Sequence, residues 1–146
     1  MSALAHAKSY RELIVYQKSR AFAQEIFELT RAFPKEEMFS LTDQVRRSSC
    51  SVGAQIAEAW AKRRYEKHFI SKLTDADGEQ LETQHWIETA ADCDYVTRFQ
   101  AIDLLAKYAE IGRLLGGMIA KAELFCNPDS LAIHEEQAFY GTDTEN

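Results

Sequence analysis

Four histidines, three cysteines and a run of cations are the residues of this chain whose types could support chemistry. Metal sites in helical bundles draw on Glu-x-x-His pairs from two helices. Here the motif occurs once, as Glu82-Thr83-Gln84-His85, and His6, His68 and His134 lack it. His134-Glu135-Glu136 also lacks the second histidine of a zinc-protease helix. No metal is expected. Nucleophilic catalysis needs a Ser or Cys beside a base and an oxyanion hole. Cys50 lies among serines on a helical pattern with no His near it, so it reads as a small residue for helix packing. Cys93 and Cys126 fall at helix ends, where partial burial is expected. Gly112, Gly116 and Gly117 sit inside a helical pattern rather than in a strand-to-helix phosphate loop. They are expected to let helices approach closely. Neither cofactor nor catalytic residues are expected.

The cations point elsewhere. Arg46 and Arg47 lie on the second helical segment, and Lys62, Arg63, Arg64, Lys67 and Lys72 gather around the second-to-third junction. Trp60, Tyr65 and Phe69 are interleaved with them. Cations beside exposed aromatics bind phosphates and stack bases. The same cations also suit a solvated helix end, where they complement the dipole, and Asp43 can pair with Arg47 at i, i+4. The solvated helix end is the preferred reading, because the acidic remainder of the chain weakens long-range attraction, and Lys62, Arg63, Arg64, Lys67 and Lys72 are the candidate nucleic-acid contacts. Trp86 falls off the inward stripe of its helix and is a candidate interface anchor.

These residues must be positioned by helices. The 146 residues are 46% apolar and 27% charged, a globular composition, and six Gly with two Pro are few for a turn-rich β fold. No stretch reaches the roughly 20 apolar residues of a membrane helix, and no signal-peptide core opens the chain. Three widely spaced cysteines exclude a full disulfide framework and imply reduced thiols, hence a cytoplasmic location. Charge is uneven: residues 1–73 hold 13 Lys/Arg against 8 Asp/Glu, and residues 74–146 hold 4 against 15. Beyond Pro128 stand Asp129, Glu135, Glu136, Asp143 and Glu145 with no Lys or Arg. The pI near 5.2 disfavours strong nonspecific nucleic-acid binding.

Four segments carry the helical period. Ser9-Tyr10-Arg11-Glu12 has the form of a capping box, followed by Val15, Phe22, Ile26, Leu29 and Phe33, with Pro34 as the stop. Ser40-Leu41-Thr42-Asp43 opens the second helix in the same way. Its stripe is Leu41, Val45, Ser48, Val52, Ile56 and Ala59, and small residues from Ser48 to Ala54 permit a close neighbour. A third stripe runs Phe69, Leu73, Ala76, Gln80, Gln84, Ile87 and Ala91. Unbroken helix from 41 to 91 would span about 75 Å at 1.5 Å per residue, so a tight break is expected near 62–66. Thr97-Arg98-Phe99-Gln100 caps the fourth helix, which shows two apolar stripes. One is Ile102, Leu105, Ala109, Gly112, Gly116 and Ile119; the other is Leu104, Tyr108, Ile111, Leu115, Met118 and Ala122. One stripe serves the monomer core. A second reads either as a broader core face or as a seam for another subunit. Leu104, Tyr108, Ile111, Leu115 and Met118 are the candidate oligomer interface. The expectation is an all-α, antiparallel up-down four-helix bundle over 1–126, with an acidic C-terminal tail over 127–146.

The segment Tyr10-Arg11-Glu12-Leu13-Ile14-Val15-Tyr16-Gln17-Lys18 resembles the opening of the four-helix-bundle family named for proteins encoded in 23S rRNA intervening sequences. The resemblance continues through Phe33-Pro34-Lys35-Glu36-Glu37 and Leu41-Thr42-Asp43-Gln44-Val45-Arg46-Arg47-Ser48. It extends to Gln55-Ile56-Ala57-Glu58-Ala59 and to Ala76-Asp77-Gly78-Glu79-Gln80-Leu81-Glu82-Thr83. Gln55 and Ala59 stand where the family commonly has Asn and Gly, and Asp77 and Glu79 replace a basic residue and Ser around Gly78. The resemblance implies a non-enzymatic protomer that assembles into a ring, a homopentamer. Related accessory proteins of diversity-generating retroelements form such rings, bind nucleic acid and assist a reverse transcriptase; they are strongly basic, and this chain is not. RNA or a protein is therefore the implied partner. Arg46, Arg47 and Glu58 match the family's most characteristic polar positions, either pairing within the bundle or lining a ring surface; pairing is the preferred reading.

Overall fold

The computed structural model describes residues 7–126, and every regular element among them is helical. Four long helices, α1 (Ile14–Thr30), α2 (Asp43–Ala61), α3 (Glu66–Asp92) and α4 (Arg98–Ala120), are followed by a single turn, α5 (Ala122–Cys126). Consecutive helices are neighbours, and α1 closes against α4. With short connections this arrangement is the expected up-down bundle. The acidic segment 127–146, with His134, and His6 at the other end lie outside the described residues.

The helix starts differ from expectation at two of three boxes. Ser9 accepts from the Arg11 backbone N–H at 3.1 Å, but it caps only a 3-10 turn, Tyr10–Glu12. Glu12 takes the N–H of Lys8 rather than that of Ser9. Leu13 is then extended and buried, and α1 begins one residue later. Before α2 the chain makes a wide π turn, Met38–Thr42, that runs straight into the helix. Ser40 therefore caps nothing; its hydroxyl donates to the Glu37 carboxylate at 2.6 Å. The box of α4 forms in full, Gln100 N–H to Thr97 Oγ1 at 3.0 Å and Thr97 N–H to Gln100 Oε1 at 2.8 Å.

The core follows the apolar stripes closely. Val15, Phe22, Ile26 and Phe33 are buried, with Leu29 half-buried, and all six residues of the α2 stripe are buried. In α3 the buried series is Phe69, Leu73, Ala76, Gln80, Thr83, Ile87 and Ala90. Gln84 and Ala91 are half-buried instead, because steps of four and three alternate along the whole helix, as in a coiled-coil seam. Gly53 and Gly112 mark close approaches. A Cβ on Gly53 would lie 3.2 Å from Ser19 Oγ, and one on Gly112 would lie 2.7 Å from Gln80 Nε2. Gly116 and Gly117 face open space, so the close contact expected there is absent from the protomer. Cys50 and Cys93 are exposed and Cys126 is buried, which corrects the packing role given to Cys50 and the partial burial given to the other two.

Candidate functional site

The break between α2 and α3 falls where helix length requires it. Lys62 N–H bonds to the Ala59 carbonyl at 2.9 Å and Tyr65 N–H to the Lys62 carbonyl at 3.1 Å. Tyr65 is extended, and α3 starts at Glu66. This turn gathers Lys62, Arg63, Arg64 and Lys67 at one end of the bundle. Lys62, Arg64 and Lys67 are exposed and, among the described residues, make no ion pair. Arg63 is spread over the Trp60 ring at 3.7 Å, with its Nε donating to the Trp60 carbonyl at 2.9 Å. Lys72 stands apart from the turn. Its ammonium lies 2.8 Å from Glu58 and 3.6 Å from Asp75, which neutralise it as a phosphate contact. The Glu58 carboxylate raises the Lys72 pKa, and Lys72 in turn lowers that of Glu58.

Of the interleaved aromatics, only one is free to stack. Tyr65 is 58% exposed, with its ring 5.3 Å from that of His68. Trp60 is half-buried beneath Arg63, while Phe69 is fully buried and stacks on Phe125 at 5.8 Å. The site is thus three unpaired cations, one stacked arginine and one exposed tyrosine. Such a set can hold phosphates and one base.

Arg46, Arg47 and Glu58 tie α2 to its neighbours. Arg46 Nε donates to Thr30 Oγ1 at 2.7 Å while its guanidinium covers the Phe27 ring, so it fastens α2 to α1. Arg47 reaches α3, meeting Glu82 at 2.6 Å and Glu79 at 3.6 Å, rather than pairing with Asp43. Glu82 also accepts from Trp86 Nε1 at 3.0 Å; that bond and Arg47 hold its carboxyl below the usual range. Trp86 is half-buried by this contact, and His85 packs edge-on against it at 4.6 Å. Both members of the lone Glu-x-x-His motif are therefore engaged with a tryptophan. Among the described residues no three His, Cys, Asp or Glu side chains are grouped to hold a metal.

The interface assigned to Leu104, Tyr108, Ile111, Leu115 and Met118 is corrected by the fold. All five are buried in the protomer's own core, so they have no surface to offer a second subunit. Period alone gives two stripes, and the structure turns this one inward. The other faces out: Ile102 is 58% exposed, Leu105, Ala109 and Ile119 are half-buried, and Gly116 is exposed. Sequence reasoning also missed the opposite end of the bundle. There Phe39 is 93% exposed and Phe99 79%, near Glu36, Glu37, Asp92 and Asp94. Two open grooves lie near that end: one between α1 and α4, of about 600 Å³, is lined by Ala, Leu, Gln and carboxylates, and one beside the α3–α4 loop, of about 580 Å³, is lined by Asp92, Asp94, Tyr95, Arg98 and Ile102 among others.

A family model described as 23S rRNA-intervening sequence protein matches residues 11–117. A crystal structure of a protein of unknown function from the S23 ribosomal protein family of Bacteroides thetaiotaomicron is similar, with 34% sequence identity and a TM-score of 0.67. The match covers 73% of this chain and 96% of that one. No curated protein matches the chain. No helix among the described residues is long and apolar enough to cross a membrane.

Proposed function

Since the chain belongs to the 23S rRNA-intervening sequence protein family, we propose that it is a non-enzymatic cytoplasmic bundle that self-assembles into a homopentameric ring and binds RNA at its basic end. The observation that carries the RNA reading is the unpaired trio Lys62, Arg64 and Lys67 around exposed Tyr65. Phosphate neutralisation by a few cations gives an affinity that falls steeply with salt. Acidic surface elsewhere confines that attraction to one end. Ring assembly draws on the outward stripe of α4, where Ile102, Leu105 and Ile119 form an apolar strip that a second copy would cover.

Filter binding of a single-stranded RNA across a salt series tests the first part. Binding at low salt that weakens at least tenfold in the combined variant Lys62→Gln, Arg64→Gln, Lys67→Gln is expected; no affinity at low salt refutes it. Light scattering tests the second: Leu105→Glu should yield monomers from a larger wild-type species, and a monomeric wild type refutes the ring.

A second reading rests on Phe39 and Phe99. Two such exposed aromatics, at an end where Glu36, Glu37, Asp43, Asp92 and Asp94 outnumber Arg31, Lys35 and Arg98, favour a protein partner there. In that case the chain is a scaffold or accessory subunit without direct RNA contact.

A further inference from the structure

We propose that residues 127–146 of this chain dock on the basic end of their own bundle, where they compete with RNA for Lys62, Arg64 and Lys67. The competition rests on the RNA reading above; the docking does not.

The point of departure is the first argument. Cys126, the last described residue, is buried at the basic end, because Phe125 before it stacks on Phe69 in the first turn of α3. Burial raises the Cys126 thiol pKa to about 11, and Glu66 and Arg63 are the charged groups that act on it. The chain therefore leaves the bundle beside the α2–α3 turn. Charge is the second argument. The departing segment carries Asp129, Glu135, Glu136, Asp143 and Glu145 and no Lys or Arg. Among the described residues Lys62, Arg64 and Lys67, beside its exit, make no ion pair, whereas Lys18, Lys72, Lys107, Arg31 and Arg47 are already paired within the bundle. At the far end Glu36, Glu37, Asp43, Asp92 and Asp94 outnumber Arg31, Lys35 and Arg98 and would repel it. Reach is the third argument. Even a few extended residues at about 3.3 Å each cross the α2–α3 turn, and a short tether holds its cargo near millimolar effective concentration. A tethered polyanion at that concentration displaces a loosely held one.

Two measurements on the full chain test this. Zero-length carbodiimide coupling without RNA should join carboxylates of 127–146 to the amines of Lys62 or Lys67, and mixed isotope labelling should place both partners in one copy. Coupling that falls instead on Lys35 or Lys107, that joins different copies only, or that fails altogether overturns the docking. The second compares the wild type with a full-length variant bearing Asp129→Asn, Glu135→Gln, Glu136→Gln, Asp143→Asn and Glu145→Gln. Its affinity for a fluorescent single-stranded RNA should be about tenfold higher at low salt, the gap closing as salt rises. Equal affinity overturns the competition. If neither protein binds RNA, the competition and the RNA reading fall together, and the coupling pattern alone decides the docking.

Discussion

The two ends of the bundle close their helices by different means. At the basic end, Lys62–Tyr65 reverses the chain without any residue at positive φ, and Lys62 and Arg64 are exposed cations. At the acidic end α3 finishes in a Schellman turn: Tyr95 N–H bonds to the Ala90 carbonyl and Asp94 N–H to that of Ala91. Asp94 supplies the left-handed position at φ 61°, where Gly is favoured. Tyr95 then donates to Glu37 at 2.7 Å and packs on Phe33, so this end is fastened side chain to side chain. The basic end has its fastening inside, through Phe69 and Phe125, and among the described residues leaves Lys62, Arg64 and Lys67 without an ion pair. A surface kept free of internal pairing is one available to a ligand.

The largest effect should come from the internal fastening. Phe69→Ala removes a fully buried ring and should cost about 3–5 kcal/mol in urea unfolding, whereas Phe99→Ala, at an exposed site, should change stability by less than about 0.5 kcal/mol. Similar losses from both would break the contrast. Next, Asp94→Gly should stabilise the fold by about 1 kcal/mol, by relieving the left-handed residue and removing a carboxylate from the C-terminus of α3; a loss would mean that Asp94 is held by more than its backbone. Arg47→Ala should cost roughly 0.2–1 kcal/mol, since its bridge to Glu82 is half exposed, while Arg64→Ala should cost nothing measurable.

The smallest effect is one of pH. Hydrogen bonds from Ser40 and Tyr95 lower the Glu37 pKa, so its contribution is present above the ordinary carboxylate range and is lost as pH falls through the lowered value. The Glu37 carboxylate pushes Tyr95 up to about 12, so that contribution is intact below pH 10 and disappears between there and pH 12. Tyr95→Phe should flatten the stability profile in both windows, and an unchanged profile would remove this bond from the account.

Much of the fold was legible because burial follows period. The α2 stripe is buried residue for residue, and the third capping motif, at the start of α4, closes as written. Two boxes failed for a local reason: Ser9 and Ser40 have the right neighbours in sequence, but a 3-10 turn and a π turn intervene before the helices. The choice between the stripes of α4 was not legible. Both have the same spacing, and only the direction in which α1 and α3 lie decides which faces inward. The cations at 62–67 could be read from the sequence, but not that Lys72, five residues on, is cancelled by Glu58 across α2 and α3. Nor do the unequal halves of the chain predict the ends. An antiparallel fold interleaves both halves at each end, and the polarity arises from which turn each charge occupies.

Ultraviolet cross-linking of a single-stranded RNA to the intact protein, with the adduct located by mass spectrometry, tests the central claim most directly. Phe39 and Phe99 are more exposed than Tyr65, so exposure and electrostatics point to opposite ends. The account predicts the adduct on the peptide that carries Tyr65. An adduct on Phe39 or Phe99 would contradict it.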